Sequence, residues 1–443
     1  MSESEVRKPP PPPASTGAAP PVPQTLEETG LDPHLLVQLI VKTLYYAGEA
    51  TGSEVAEDLR LPYFVLDPLF QFLRTEKLIE VRGVEGIEKG SYRYSLTSLG
   101  RERAREFLEV SFYVGPAPVS LNHYVERVRQ HSLANVRVDR ETLRAALAPV
   151  VVSEELIEQL GPAINSGHSI FLYGPSGNGK TLIAEAIGRA IASAGDIFVP
   201  YAIEVGNHVI KIFNPVDHVP VEHASPASDR RWVRCRRPTV FVGGELTLDM
   251  LDLRIHPVSK YYEAPPQVKA NGGVFILDDL GRQLVRPRDL LNRWIVPLEK
   301  RVDYFTLHTG EKFPLPFDTL VIFATNLEPR ELVDDAFFRR IRFKIHVANP
   351  TRPMYEEIFR RCCEQRGLAY DPTLVEFLYR EIYERHGIEP RGCHPRDLIE
   401  HVLGHAKFTQ SPAALSEEAI ARACRTYFAL QEVSGTVSDR ASG

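Results

Sequence analysis

The spacing of apolar side chains changes character several times along this chain. Residues 33–47 (PHLLVQLIVKTLYYA) repeat apolar positions at helical spacing and predict a helix. A second helix is expected over Thr51–Arg60, where Thr51 and Glu54 stand at capping-box distance. The Leu61-Pro62 turn then leads into a third, Tyr63–Thr75. Two alternating stretches, LIEVR (78–82) and YRYSLT (92–97), flank GVEGIEKGS and predict a hairpin, and a charged helix from Leu99 to Val110 closes the unit. After the proline-interrupted YVGPAPVS (113–120), strand and helix patterns alternate from about Asn135 to Val347, as in a doubly wound α/β domain. From Asn349 to Leu430 the pattern is helical throughout.

The two ends differ from this. Eight of the 35 prolines fall before residue 25, five of them consecutive at Pro9 to Pro13, so this segment cannot build a core. The closing VSGTVSDRASG reads as a second loose end. The expected organisation is therefore a tail (1–28), a small helix-and-hairpin domain (29–112), a connector (113–134), an α/β domain (135–348), a helical domain (349–432) and a flexible end (433–443).

Composition narrows the function classes. The 443 residues are 43% hydrophobic and 25% charged, with a net charge of −6, which gives no polyelectrolyte signature for nucleic acid or anionic membrane. No apolar run approaches the roughly 18 residues of a membrane span, and no hydrophobic stretch follows the N-terminal charges as a secretory signal requires. Five cysteines without C-x-x-C spacing argue against a disulfide scaffold or structural zinc. The expected setting is a reducing cytoplasm. In the adjacent pair Cys362–Cys363, helical geometry turns the two side chains apart.

One segment carries chemistry at high specificity. Gly174-Pro175-Ser176-Gly177-Asn178-Gly179-Lys180-Thr181 fits G-x-x-x-x-G-K-[ST], entered by the apolar strand SIFLY and left by a helix beginning Thr181-Leu182. Such a loop curls backbone N–H groups around phosphate oxygens at a helix N-terminus. Lys180 is expected on the β/γ-phosphates and Thr181 on Mg²⁺. Further on, Gly272-Gly273-Val274-Phe275-Ile276-Leu277-Asp278-Asp279 reads as a buried strand delivering two carboxylates. Asp278 is expected to hold Mg²⁺ through water, and Asp279 to polarise the attacking water. A third strand, TLVIFATN, ends in Asn326. The segment DDAFFRRIRFKIHV supplies Arg339, Arg340 and Arg342, and Gly392-Cys393-His394-Pro395-Arg396-Asp397-Leu398 opens a late helix.

In that order these elements resemble the AAA+ ATPases over residues 135–430. The resemblance implies a P-loop parallel sheet with a helical lid, ATP and Mg²⁺ as ligands, and a ring, expected to be a hexamer. It makes Asn326 a sensor that orients water, Arg396 a lid residue that reports nucleotide, and Arg339 and Arg342 fingers reaching a neighbour's γ-phosphate. Asp279 stands where the family usually has Glu, which suggests a modest rate. The tract KYYEAPPQVKANGG and the hairpin-like 302–319 resemble MoxR-like proteins and bacterial enhancer-binding activators; there Tyr261 and Tyr262 would be candidate pore-loop aromatics. Residues 31–110 resemble winged-helix domains at the level of pattern.

Ten basic residues face thirteen acidic ones in that small domain, so duplex DNA is poorly matched and a protein partner is favoured through Tyr63, Phe64 and Phe70. The run DRRWVRCRRP (229–238) packs five arginines around Trp232 and could serve nucleic acid, a partner's acidic patch or the adjacent protomer's nucleotide. The expected function is ATP hydrolysis driving remodelling or assembly of a protein complex. Two alternatives are an ATPase acting on DNA, as initiators or helicase loaders do, and a non-catalytic ATP-dependent switch.

Overall fold

The computed structural model describes residues 18–86, 89–221, 228–328 and 339–430. Expectations for residues 1–17 and 431–443, and for the stretch just before Arg339, lie outside these.

Helices Pro33–Ala47, Gly52–Leu59 and Tyr63–Thr75 form where the periodicity places them. The Thr51 hydroxyl accepts from Glu54 N at 3.1 Å and the Glu54 carboxylate from Thr51 N at 2.7 Å, closing the capping box. Strands Ile79–Val84 and Tyr92–Leu96 pair antiparallel, and Glu49–Thr51 adds a third strand that alternation does not reveal. Helix Ser98–Val110 packs chiefly against Pro33–Ala47 and touches the strand Tyr92–Leu96.

Five parallel strands form the central sheet, in the order Thr239–Val242, Val274–Leu277, Leu320–Thr325, Ile170–Tyr173, Phe343–His346. The three inner strands are apolar and buried, as in a sheet with both faces covered, whereas the edge strands are only partly buried, with Phe241 and His346 exposed. The first strand in sequence lies between the fourth and the fifth. The chain order therefore reverses there and opens a crevice at its carboxyl end, where ligands of such sheets bind. The fold is thus mixed α/β with a parallel five-stranded sheet, as expected.

Three parts differ from the sequence reading. The alternation between 196 and 316 is interrupted by a second five-stranded sheet and two antiparallel ribbons, Asp196–Pro200 with Trp232–Arg236 and Val302–Thr306 with Lys312–Pro316. The stretch read as a connector is built in: Val119–Ser120 pairs with Ile203–Glu204, and helix Leu121–Gln130 buries Tyr124 and Val128 in that sheet's core. The end of the expected tail is also held. Ala18 O accepts from Arg127, Pro20 O accepts from Asp229 N at 2.9 Å, and Pro21 bridges Ser228. Prolines lack N–H donors, but their carbonyls still accept, which periodicity cannot register.

The small N-terminal domain is also not freely hinged. Its core continues into Tyr113 and Ala117 of the linking stretch and Ala202 and Val209 of the neighbouring sheet, and Ala117 N donates to Leu59 O at 2.9 Å. Residues 352–427 form helices Arg352–Gln365, Pro372–Phe377, His394–Phe408 and Glu417–Tyr427, with a π-helical turn at Leu378–Glu384, around Tyr355, Phe359, Leu378 and Ile420. Cys363 is buried there and Cys362 half-buried, and every cysteine of the described residues is free. No helix among these residues is long and apolar enough to cross a membrane.

Candidate functional site

The loop Gly174–Gly179 joins the strand Ile170–Tyr173 to the helix Lys180–Ala192 at the crevice. Gly177 sits at φ +84°, and a Cβ there would lie 2.4 Å from Cys393 Sγ. Gly174, at φ +135°, would press a Cβ to 2.4 Å from Val347 O. Only glycine lets the backbone turn this tightly beneath its neighbours.

Lys180 opens the helix and is 6% exposed. Its ammonium donates to Gly174 O at 2.9 Å and Pro175 O at 2.8 Å. Burial lowers its pKa, and the nearby charges of Asp278 and Asp279 oppose that. Among the described residues no carboxylate forms an ion pair with it, so the direct partners of this buried cation are two carbonyl oxygens inside a turn of backbone N–H groups. That donor set suits phosphate oxygens. Thr181 Oγ1 donates to Asp278 Oδ2 at 2.6 Å, joining the two groups expected around Mg²⁺.

Asp279 lies in the left-handed region at φ +50°, a strained conformation for a residue with a Cβ. Leu280 N donates to Ala324 O, and Asn326 Nδ2 donates to Asp279 Oδ1 at 3.1 Å, so the adjacent strand end holds the turn. Gln283, which pattern reading passes over, is buried beneath it. Its amide donates to Asp278 O at 3.1 Å and Gly243 O at 3.3 Å, and its carbonyl accepts from Gly281 N.

The helical domain closes on the loop through residues other than those expected. Arg396 is more than half exposed and pairs with its neighbour Asp397 at 2.9 Å. Arg391 instead donates to Ser176 Oγ at 3.0 Å, Gly392 N donates to Asn178 Oδ1, and Asn178 Nδ2 reaches Asn349 Oδ1 at 2.8 Å. Helical phase favours Arg396. Arg391 sits in the loop before the helix, where no periodicity marks it. Leu182 is half exposed on the first turn. A solvent-open cleft of roughly 980 Å³ adjoins the loop, bordered by Val151, Gln159, Asn178, His346 and Met354.

Arg339 and Arg342 are exposed. Burial, then the charges of Arg342 and Arg301, hold the His168 pKa down. The candidate pore aromatics are packed away. Tyr262 is 2% exposed because its strand pairs with His208–Lys211, and Tyr261 stands edge-on to Tyr113.

Most of the arginine run is likewise consumed internally. Arg231 forms a buried pair with Asp229, Arg230 pairs with Glu57, Arg234 with Asp196, and Arg237 donates to His131 O and Gly272 O.

Comparison with known proteins gives one family match, a domain of unknown function (DUF8689) over residues 351–426. No curated protein matches. Among solved structures, NtrX from Brucella abortus is 16% identical at a TM-score of 0.38, covering 60% of this chain and 53% of its own. The likeness therefore spans about half of NtrX. The Thermotoga maritima RuvB Holliday junction branch migration motor is 13% identical at a TM-score of 0.35, over 62% of this chain and 69% of that one.

Proposed function

We propose that this chain is a Mg²⁺-dependent ATPase of the AAA+ type. The observation that supports this best is the convergence at one sheet edge of the Lys180–Thr181 loop, the Asp278–Asp279 strand end and Asn326. Backbone N–H groups of Gly174–Gly179, with Pro175 and Ser176 shaping the turn, would hold the phosphates, and Thr181 and Asp278 would hold the cation. Bound Mg²⁺ would neutralise charge on the phosphate oxygens. Lys180 exchanges its two carbonyl partners for phosphate oxygens, which restores a full countercharge to a buried ammonium. Asp279 accepts a hydrogen bond from the attacking water, and Asn326 fixes the carboxylate that does so. The bond broken is the γ-phosphoanhydride, giving ADP and inorganic phosphate.

Arg339 and Arg342 are exposed as fingers acting on a neighbouring copy would need to be, which fits a ring and a hexamer. The N-terminal domain, read as a winged helix, keeps Phe64 and Phe72 about half exposed on its third helix while Phe70 is buried. An aromatic face flanked by the acids Asp67 and Glu76 suits a protein partner better than phosphates. The use of Arg230, Arg231, Arg234 and Arg237 in internal contacts weighs against the DNA-directed reading.

Lys180→Ala should abolish ATP binding, whereas Asp279→Asn should bind ATP and fail to release phosphate. Wild-type protein that binds ATP but shows no turnover above background in any assembly state would leave only the switch reading.

A further inference from the structure

The lid carries a buried polar chain that the ATPase reading does not use. Tyr355 and Tyr383, both essentially inaccessible, place their hydroxyls 2.6 Å apart. The Tyr383 hydroxyl lies 3.1 Å from His394 Nδ1, and the same nitrogen accepts from Arg391 N at 3.2 Å. His394 N returns a bond to Arg391 O, so residues 391–394 close on themselves through this one ring. From that turn Arg391 reaches Ser176, Gly392 reaches Asn178, and Cys393 lies against Gly177.

The protonation state follows from the donors. A backbone N–H can only donate, so Nδ1 must carry its lone pair and the ring proton sits on Nε2. Burial, reinforced by Arg391, keeps this imidazole neutral with a pKa pushed down to about 4. The ring is packed by Tyr383 on its face and by Tyr427 and Phe428 at its edges. Tyr383 can then donate to His394 while accepting from Tyr355. An ordered chain thereby runs from the lid's core to the phosphate loop.

We propose that His394 is a positioning residue for nucleotide: it holds the 391–393 turn so that Arg391 and Gly392 stay seated on the phosphate loop, and Tyr383 ties that turn to the lid. This rests on the ATP reading above. His394 acts through Arg391 and touches no substrate.

The test measures the Kd for ATP with Mg²⁺, by displacement of a fluorescent ATP analogue, on the full chain and its variants. Arg391→Ala should weaken binding roughly tenfold, the scale of one charge-assisted contact. His394→Leu should do about the same, and the double variant should be no worse than the poorer single one, because both remove one coupled interaction. His394→Asn should return to within about threefold of wild type, since its carboxamide oxygen can accept the Arg391 N–H. Multiplying effects in the double variant, or no rescue by asparagine at equal folded fraction, would overturn the proposal. If His394→Leu does not fold, Tyr383→Phe paired with Arg391→Ala decides in the same way. Hydrogen exchange across 174–180 and 391–394 without nucleotide separates the two failures. Faster exchange in the histidine or tyrosine variant, with no ATP binding by wild type, sinks the ATP reading alone; unchanged exchange sinks the positioning role.

Discussion

Replacing Asp229 with alanine should cost the protein several kcal/mol and loosen the N-terminal domain from the body. Arg231 is 1% exposed and Asp229 4%, so neither charge is solvated. The carboxylate takes Arg231 Nε at 3.1 Å and Nη2 at 2.8 Å, and also accepts from Arg231 N. The other guanidinium nitrogen donates to Thr29 O and Pro118 O, each at 3.1 Å, which pins the start of the first domain to the edge of the second sheet. Removing one member of such a pair strands a buried charge, at about 3–5 kcal/mol. Asp229→Asn keeps one of the two oxygen acceptors while losing the countercharge, so its loss should be smaller but in the same direction. Asp229→Leu with Arg231→Met removes both charges and should recover most of the loss, short of about 1 kcal/mol for each carbonyl left bare. Urea unfolding followed by circular dichroism measures all three, with limited proteolysis between residues 110 and 121 reporting domain release. An Asp229→Ala variant within about 0.5 kcal/mol of wild type would show that water reaches Arg231 and that the clamp is not what joins the domains.

Lys42, 1% exposed and donating to Ser111 O, has its pKa pushed down to about 8 by burial. The unfolded chain therefore binds more protons between about pH 8 and the ordinary lysine value near 10.4, and stability rises with pH across that window. Each pH unit of the window is worth about 1.4 kcal/mol, so Lys42→Met should stabilise by up to about 3 kcal/mol at pH 7, with the gain shrinking as pH climbs through it. Urea unfolding at a series of pH values checks this, and a pH-independent gain refutes the linkage. Gln283→Glu keeps the acceptor for Gly281 N but strips the donors to Asp278 O and Gly243 O. Phosphate release should fall roughly tenfold or more with ATP affinity nearly kept, whereas equal loss in both would mean general unfolding. Arg339→Ala or Arg342→Ala should spare ATP binding and cut turnover by roughly 10³-fold, and mixing either with the Lys180→Ala protein should restore part of it. A monomer that keeps full turnover without Arg342 contradicts the ring.

What can be read from the sequence divides along physical lines. The phosphate loop, the Asp278–Asp279 strand end and Asn326 are local signals, each an apolar run terminated by a residue that cannot remain in a packed strand. The structure brings all three together. The helices of the first domain follow from periodicity and one capping box. What stays hidden depends on contacts distant in sequence. The second sheet is made of strands two to four residues long, too short for alternation to register. The arginine run reads as a free cationic surface because its partners Glu57, Thr29, Pro118, His131 and Gly272 are scattered over more than 200 residues. Arg396 has the right helical phase, but Arg391 has the reach, and phase is all that a sequence displays.

The clamps also limit how a partner on the first domain could affect the nucleotide. A hinged recruitment module would leave the body indifferent to what it holds. Here Lys260 Nζ donates to Glu109 O, Phe112 N donates to Ser259 O, and the domain's core is continuous with the second sheet. That sheet's core includes Ile197 and Val268, which flank the turn at Gly272. Arg237 grips Gly272 O at 2.6 Å, and two residues later the strand begins that ends at Asp278 and Asp279. The first domain is therefore joined through packed cores and hydrogen bonds to the base of the carboxylate strand. Packed cores shift between discrete arrangements rather than stretching. A partner bound at Phe64 and Phe72 is thus expected to be felt at the Asp279 turn, where the one non-glycine residue of the site at a left-handed φ is held by Asn326 and Gln283.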